Sequence, residues 1–347
     1  MKASIVVVNH NYARFLQQAI DSALAQSYGN TEVVVIDDGS TDRSCEVIES
    51  YRGRIKAVSE ICAGQSSCYS RGLAVSTGDL LLYLDADDFL HPDCLSEVIG
   101  NWTKGCVKAH YYLAVVDESG YPMHAIVPTG RLCRGFNPLK MMRIFGAYCS
   151  PPASGNVYSR GFLANILPMQ NESELRTGSA DSVTILAAPF FGTIAAIPKV
   201  LGFYRRHADA SGGMTSTFNA KTSLQKLEKE HQKDLLRDRS WRLAIRHTQT
   251  PKLLEPSRLK RRMCYLRLSG RGLEPADNRL MLFFKGVLSS ICWSGYSWAQ
   301  KIMMSWWFLG MALLPLETAR FLIRPALGIS DRPSRVRKFF QAIETEV

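Results

Sequence analysis

Asp85, Asp87 and Asp88 place three carboxylates within four residues, directly after the apolar run Leu80–Leu84. Like charges this close repel one another, and keeping them there costs stability unless a cation offsets the charge. A hard divalent ion such as Mg²⁺ or Mn²⁺ takes oxygen ligands, usually one or two carboxylates plus phosphate oxygens. Asp85 and Asp87 together suit that task, with Ala86 between them; Asp88 alone also fits a solvated turn or a helix cap. A second acidic pair, Asp37-Asp38, closes another β-branched run and leads into Gly39-Ser40. Carboxylates in that position accept hydrogen bonds from a base N–H or from ribose hydroxyls. Asp-Gly after a strand is by itself ordinary turn chemistry. Its weight comes from the partner motif, 47 residues from Asp38 to Asp85, at an equivalent strand end.

The elements around these motifs are legible. Ile5–Val8 is a β-branched run without polar alternation, as a strand buried on both faces should be. Residues 13–26 carry Phe15, Leu16, Ala19, Ile20, Ala23 and Leu24 at helical spacing. Glu32–Ile36 reads as a second buried strand, and Ser40 or Thr41 as the cap of a helix reaching about Tyr51. A short strand over 55–59, a helix over 65–76 and the strand Leu80–Leu84 follow. Strands alternating with helices predict an α/β chain with a mainly parallel, doubly wound sheet and helices on both faces. Ligands of such sheets sit beyond the C-terminal strand ends. Both acidic motifs fall there. Residues 101–210 are less regular, with strand patterns at 109–116 and 193–197, turn signals at Pro151-Pro152 and Gly155, and a helix around 181–190. From about 217 the pattern is helical: a Lys/Arg-rich stretch, 221–272, precedes an apolar and aromatic one, 280–316.

Taken in order, the residues carry a family resemblance. Ile5-Val6-Val7-Val8-Asn9-His10-Asn11-Tyr12, Ala19–Gln26, Asp37-Asp38-Gly39-Ser40-Thr41-Asp42, Gly64-Gln65, Arg71-Gly72, Ala74, Gly78 and the Asp85–Asp88 run resemble glycosyltransferase family 2. The match is dense over residues 1 to about 100. It implies a GT-A fold, Rossmann-like, with a nucleotide-binding half and an acceptor half around one sheet over 1–215. It also implies inverting transfer from a nucleoside-diphosphate sugar, UDP or dTDP favoured, to a saccharide or lipid-linked saccharide acceptor. By the same resemblance Asp38 faces the nucleobase with Asp37 beside it, and Val8 and His10 line the base pocket. Asp85, with Ala86 after it, lies near the ribose and the metal; Asp87 ligates Mn²⁺ or Mg²⁺. Arg71 is placed to reach the diphosphate. His10 stands where many relatives carry tyrosine, and Ser70 where they often carry asparagine.

Inverting transfer is a single displacement, so a carboxylate must take the acceptor proton. The family usually supplies it from a Glu-Asp pair at a helix start about a hundred residues after the metal motif. Ser179-Ala180-Asp181-Ser182 matches that place with only the aspartate kept, which makes Asp181 the candidate base and Glu172 and Glu174 the fallbacks. Phe203-Tyr204-Arg205-Arg206-His207 resembles the segment that closes many such domains, with Arg205 or His207 toward diphosphate or acceptor. Pro151–Asn156 resembles an acceptor-side loop and is given no catalytic role. Loss of the glutamate at Ala180 is the one feature favouring a degenerate, nucleotide-sugar-binding scaffold. No GxGxxG is present for a dinucleotide enzyme, and no Gly-rich phosphate loop follows the first strand for a nucleotidyltransferase.

Charge divides the chain. Residues 1–100 hold 7 Lys/Arg against 14 Asp/Glu, 101–210 hold 11 against 6, and 211–347 hold 24 against 11. The basic helical region, 216–347, lacks zinc-finger spacing or an aromatic RNA-binding signature, so no nucleic-acid partner is expected. Residues 302–316 are nearly continuous in apolar side chains but fall short of the roughly 20 needed to span a bilayer. Tryptophans and flanking basic residues suit an interfacial helix, so 280–325 is expected to touch a membrane peripherally. Nine scattered cysteines without CxxC read as reduced thiols, and the N-terminus reads as a strand rather than a leader. A cytoplasmic protein at the inner face of the cell membrane is the resulting expectation.

Overall fold

The computed structural model describes residues 1–59, 64–132, 137–167, 180–207, 220–246 and 250–326. Its first half is four parallel strands in the order β3-β2-β1-β4: β1 (Ala3–Asn9), β2 (Thr31–Asp37), β3 (Lys56–Ser59) and β4 (Leu80–Asp85). β1 and β4 carry the continuous apolar runs Ile5–Val8 and Leu80–Leu84 because both faces of the sheet are covered there. On one face helix α1 (Ala13–Leu24) buries Leu16, Ala19, Ile20 and Ala23 in a cluster with Ile5, Val7, Val33, Val35 and Leu82. On the other, α3 (Gln65–Val75) approaches β1 so closely that a Cβ on Gly72 would lie 2.6 Å from Val6 Cγ1. Tyr69 of α3 stacks on Tyr83 with ring centroids 3.8 Å apart, and the Tyr83 hydroxyl donates to the Tyr69 carbonyl at 2.8 Å.

The helix between β2 and β3 is shorter than the pattern from Thr41 to Tyr51 suggests: α2 spans only Ser44–Glu49. Ser40 is not its cap, because its hydroxyl donates to Asp37 at 2.6 Å. The N-cap position is Arg43, and Asp42, one residue ahead of it, accepts from the Ser44 and Ala13 N–H groups at 2.9 Å each.

Beyond β4 come β5 (Phe89–Leu90), α4 (Cys94–Gly100), β6 (Cys106–Val116), β7 (Pro122–Val127), α5 (Pro138–Phe145), β8 (Asn156–Ser159), α6 (Arg160–Ile166), α7 (Ala180–Ala187) and β9 (Thr193–Arg205). The sheet continues β4-β8-β6-β9-β5 with β7 on β6, and of these pairings only β6–β9 is parallel. The result is a mixed α/β sheet with helices on both faces. β9 outruns the predicted 193–197 because it stays paired with β6 as far as Val116–Arg205 and with β5 at Phe89–Phe203.

The C-terminal region is helical: α8 (Ala220–Ala244), α9 (Pro256–Ser269), α10 (Arg279–Cys292), α11 (Trp298–Leu313) and α12 (Leu316–Ala326). The chain divides into two compact units. One comprises Met1–Arg134, Ser150–His207 and Arg239–Thr248; the other, Gly135–Cys149, Ala208–Asp238 and Gln249–Val347. The second has its own core, including Leu227, Leu259, Met263, Leu282, Phe308 and Met311. Part of its basic composition is internal. Buried Arg258 donates to the Asp238 carboxylate and the Asp234 carbonyl, both at 2.8 Å, while Arg261 pairs with Asp234 and Arg262 with Asp277. A buried guanidinium is tolerated when paired and hydrogen-bonded in this way. Among the described residues no helix is long and apolar enough to cross a membrane.

Candidate functional site

Strand register assembles the site. β1 pairs with both β2 and β4, setting Asn9 opposite Asp37 and Val8 opposite Asp85. The C-terminal ends of the three strands therefore present the two acidic motifs side by side. Beyond them lies a cavity of about 340 Å³ lined by Val8, Asn9, His10, Tyr12, Asp38, Gln65, Asp85, Ala86 and Asp87.

On the β2 side the turn is tied by its own polar groups. Asp37 is buried, and its carboxylate accepts from Asn9 Nδ2 at 2.6 Å and from the Ser40 N–H at 3.0 Å. Gly39 takes a φ of 71°, which a side chain would strain. The Asp38 carboxylate accepts the Gly64 N–H at 3.0 Å, just ahead of α3. His10 Nδ1 lies 2.8 Å from the Asp38 carbonyl. A carbonyl only accepts, so Nδ1 carries the proton and Nε2 accepts from Asn11 Nδ2 at 3.2 Å.

On the β4 side the carboxylates crowd. Burial, then the charges of Asp88, Asp181 and Asp87, push the Asp85 carboxyl well above the usual carboxylate range. Asp88 is buried; desolvation and the Asp87 charge raise it to about 8, against the Arg205 N–H and the Ser154 hydroxyl, which favour its ionised form. Those two groups donate to it at 2.8 and 2.7 Å, and Ser154 Oγ also accepts the Asp85 N–H at 3.2 Å. Asp87 Oδ2 meets His207 Nε2 at 2.8 Å, with the imidazole packed against both Tyr12 and Phe15.

Residues 4–167 match the family model for glycosyl transferase family 2. This stretch is a family 2 glycosyl transferase domain. An uncharacterized glycosyltransferase of Nostoc sp. is 32% identical over 212 residues, 60% of this chain and 65% of its own length. The chondroitin synthase of Pasteurella multocida is 35% identical over 111 residues, covering 30% of this chain and 12% of that one. The chain thus spans less than two thirds of either relative. The crystal structure of S. aureus TarS 1–349 with UDP aligns over 99% of this chain and 90% of that one at 16% identity, with a TM-score of 0.49. The architecture is a mixed α/β sheet with helices on both faces, followed by a helical region.

Within this transferase domain the structure gathers Val8, His10, Asp38, Asp85, Ala86 and Asp87 on one cavity. Asp37 faces inward and holds the turn. Arg71 stands exposed on α3 and is not part of the cavity wall. Asp181 opens α7, partly exposed, and its charge reaches Asp85. Glu172 and Glu174 lie outside the described residues.

Four contributors are given no role by the sequence. Asn9, Tyr12 and Gln65 line the cavity, although all three belong to the stretches that carry the resemblance. Ser154, in the loop given no catalytic role, fixes both Asp85 and Asp88. Arg205 is a clamp inside the protein: its guanidinium donates to the Asp87 carbonyl at 2.8 Å, the Glu118 carbonyl at 2.7 Å and Gln18 Oε1 at 2.6 Å. Those donors are committed; His207, the other member of the pair, pairs with Asp87 and is not part of the cavity wall. The carboxylate oxygens of Asp85 and Asp87 are donors suited to a hard cation such as Mn²⁺ or Mg²⁺. Among the described residues no three His, Cys, Asp or Glu side chains converge as a ready-made cage. A cation here fits best when phosphate oxygens complete its shell.

Proposed function

We propose that this chain is an inverting glycosyltransferase. It moves a sugar from a nucleoside-diphosphate sugar, UDP or dTDP favoured, to the hydroxyl of a saccharide or lipid-linked saccharide, in cell-surface polysaccharide or glycolipid synthesis. The convergence of Asp38 and Asp85–Asp87 on one cavity, at the C-terminal edge of parallel strands inside the family 2 domain, carries this reading. Asp38 receives the base with Val8 and His10 on the wall, Asp37 holds the turn behind them, and Arg71 serves the diphosphate. Mn²⁺ or Mg²⁺, held by Asp87 and Asp85, would neutralise charge on the leaving diphosphate. Asp181 takes the acceptor proton. Its charge already reaches the Asp85 carboxyl, which supports that assignment. Residues 1–215 are the transferase domain, with 1–100 as the donor half and 101–215 as the acceptor half; 216–347 form the basic helical region. A place in the cytoplasm, peripheral at the inner face of the membrane, suits a lipid-linked acceptor.

Calorimetric titration of UDP, dTDP and GDP, each with Mn²⁺ and with EDTA, tests the donor site. One nucleotide is expected to bind only with the cation, and Asp87→Ala to abolish that binding. Failure of all three nucleotides under both conditions sinks the reading.

A further inference from the structure

We infer that the outward faces of α10 and α11 dock the chain on an anionic lipid surface. The inference rests on the membrane placement proposed above and names the side chains that make the contact. α10 turns Leu282, Gly286, Ser289 and Ser290 inward. Leu280, Phe284, Leu288 and Ile291, spaced by four, four and three residues, fall on the opposite stripe and are 49% to 65% exposed. α11 repeats the arrangement. Met304, Phe308 and Met311 are buried, while Trp298, Ile302, Trp306 and Leu313 are 58% to 78% exposed. A surface helix ordinarily turns polar side chains outward, so two apolar outward stripes mark an interaction face.

Charge selects the occupant. No Asp or Glu lies between Asp277 and Glu317, whereas Arg279, Lys285 and Lys301 do. Lys301 Nζ sits 5.2 Å from the Trp298 ring centroid, so the ammonium lies beside the aromatic edge of the stripe. Tryptophan with lysine at the rim of an apolar face is the composition of a helix at the headgroup level. A second copy of this chain would bring like charges together at the same stripes, while a layer of anionic headgroups neutralises them. α11, at 16 residues, is short of the roughly 20 needed to cross a bilayer and suits an in-plane pose.

Cosedimentation of the full chain with vesicles tests the surface, comparing phosphatidylcholine alone with phosphatidylcholine plus phosphatidylglycerol. The chain is expected to pellet with the anionic vesicles only, to be released by high salt, and to shift its tryptophan emission to the blue. The double variants Phe284→Ser/Trp306→Ser and Lys285→Glu/Lys301→Glu, both on outward positions, should each weaken partition by about tenfold or more. Recovery in the supernatant with both vesicle types overturns the inference. So does a dimer in sedimentation equilibrium that Phe284→Ser/Trp306→Ser dissolves while no vesicle binding is seen. UDP titration of the same preparation separates the two proposals. Nucleotide binding without vesicle binding removes the docking surface alone; vesicle binding without nucleotide binding upholds the surface and removes the transferase reading.

Discussion

Asp181 sits in the first turn of α7, where its Oδ1 accepts the Ser182 N–H at 2.6 Å and its charge adds to that at Asp85. A helix cap and a catalytic base differ in what their loss does. Asp181→Asn keeps an acceptor oxygen for the turn and removes the proton acceptor. Turnover should fall by about 10² to 10⁴-fold with nucleotide affinity unchanged. Equal loss of nucleotide affinity would move Asp181 into the donor site instead. Asp88 gives a second residue-scale prediction. Its carboxyl is raised to about 8 in the folded chain, above an unfolded value near 3.9. Between those values the folded chain holds the extra proton, so metal-free stability falls as pH rises through about 8. A divalent cation offsets the charge that appears. Melting temperature should therefore drop from pH 6 to pH 8.5 in EDTA and drop less in Mn²⁺. Parallel curves in the two buffers would mean that no cation reaches this carboxylate group.

At the scale of elements, the approach of α3 to β1 positions both Gly64, which donates to Asp38, and Gln65 on the cavity wall. Gly72 permits that approach, since a Cβ there would lie 2.6 Å from Val6 Cγ1 and 3.2 Å from Tyr83 Cε1. Gly72→Ala should cost about 1–3 kcal/mol in urea unfolding and weaken nucleotide binding with it. An unchanged midpoint would show that the helix can shift at no cost. These elements were readable because buried parallel strands are continuous apolar runs and their ends carry the ligand groups. The place of Asp38, Asp85 and Asp87 at strand ends was readable from that pattern, while the roles expected of them came from the family resemblance. Ser154 could not, because its role exists only through hydrogen bonds to residues 66 and 69 positions away. Arg205 is similar: a basic residue near an acidic motif suggests a ligand contact, but at the end of β9 its donors are taken by the Asp87 and Glu118 carbonyls. The shortened α2 has the same kind of cause, since only folded geometry decides whether Ser40 serves Asp37 or the helix.

For the whole molecule, the cavity and the apolar stripes belong to different compact units. Every residue lining the cavity lies in Met1–Arg134, and every residue of the two stripes lies in Gln249–Val347. The charge divides along the chain as well, acidic over 1–100, which includes every cavity residue, and basic over 211–347, which includes both stripes. On the proposed reading, a nucleotide with its cation and a lipid surface would therefore contact separate units, each with its own core. Hydrogen exchange read by mass spectrometry should show two footprints. UDP with Mn²⁺ should slow exchange around Asn9–Tyr12, Asp38–Asp42 and Asp85–Asp88, and anionic vesicles should slow it over Arg279–Leu313. Neither ligand is expected to protect the other's segment. Protection of Arg279–Leu313 by nucleotide alone would show that donor binding reaches the second unit, and the assignment of donor and membrane contacts to independent units would fail.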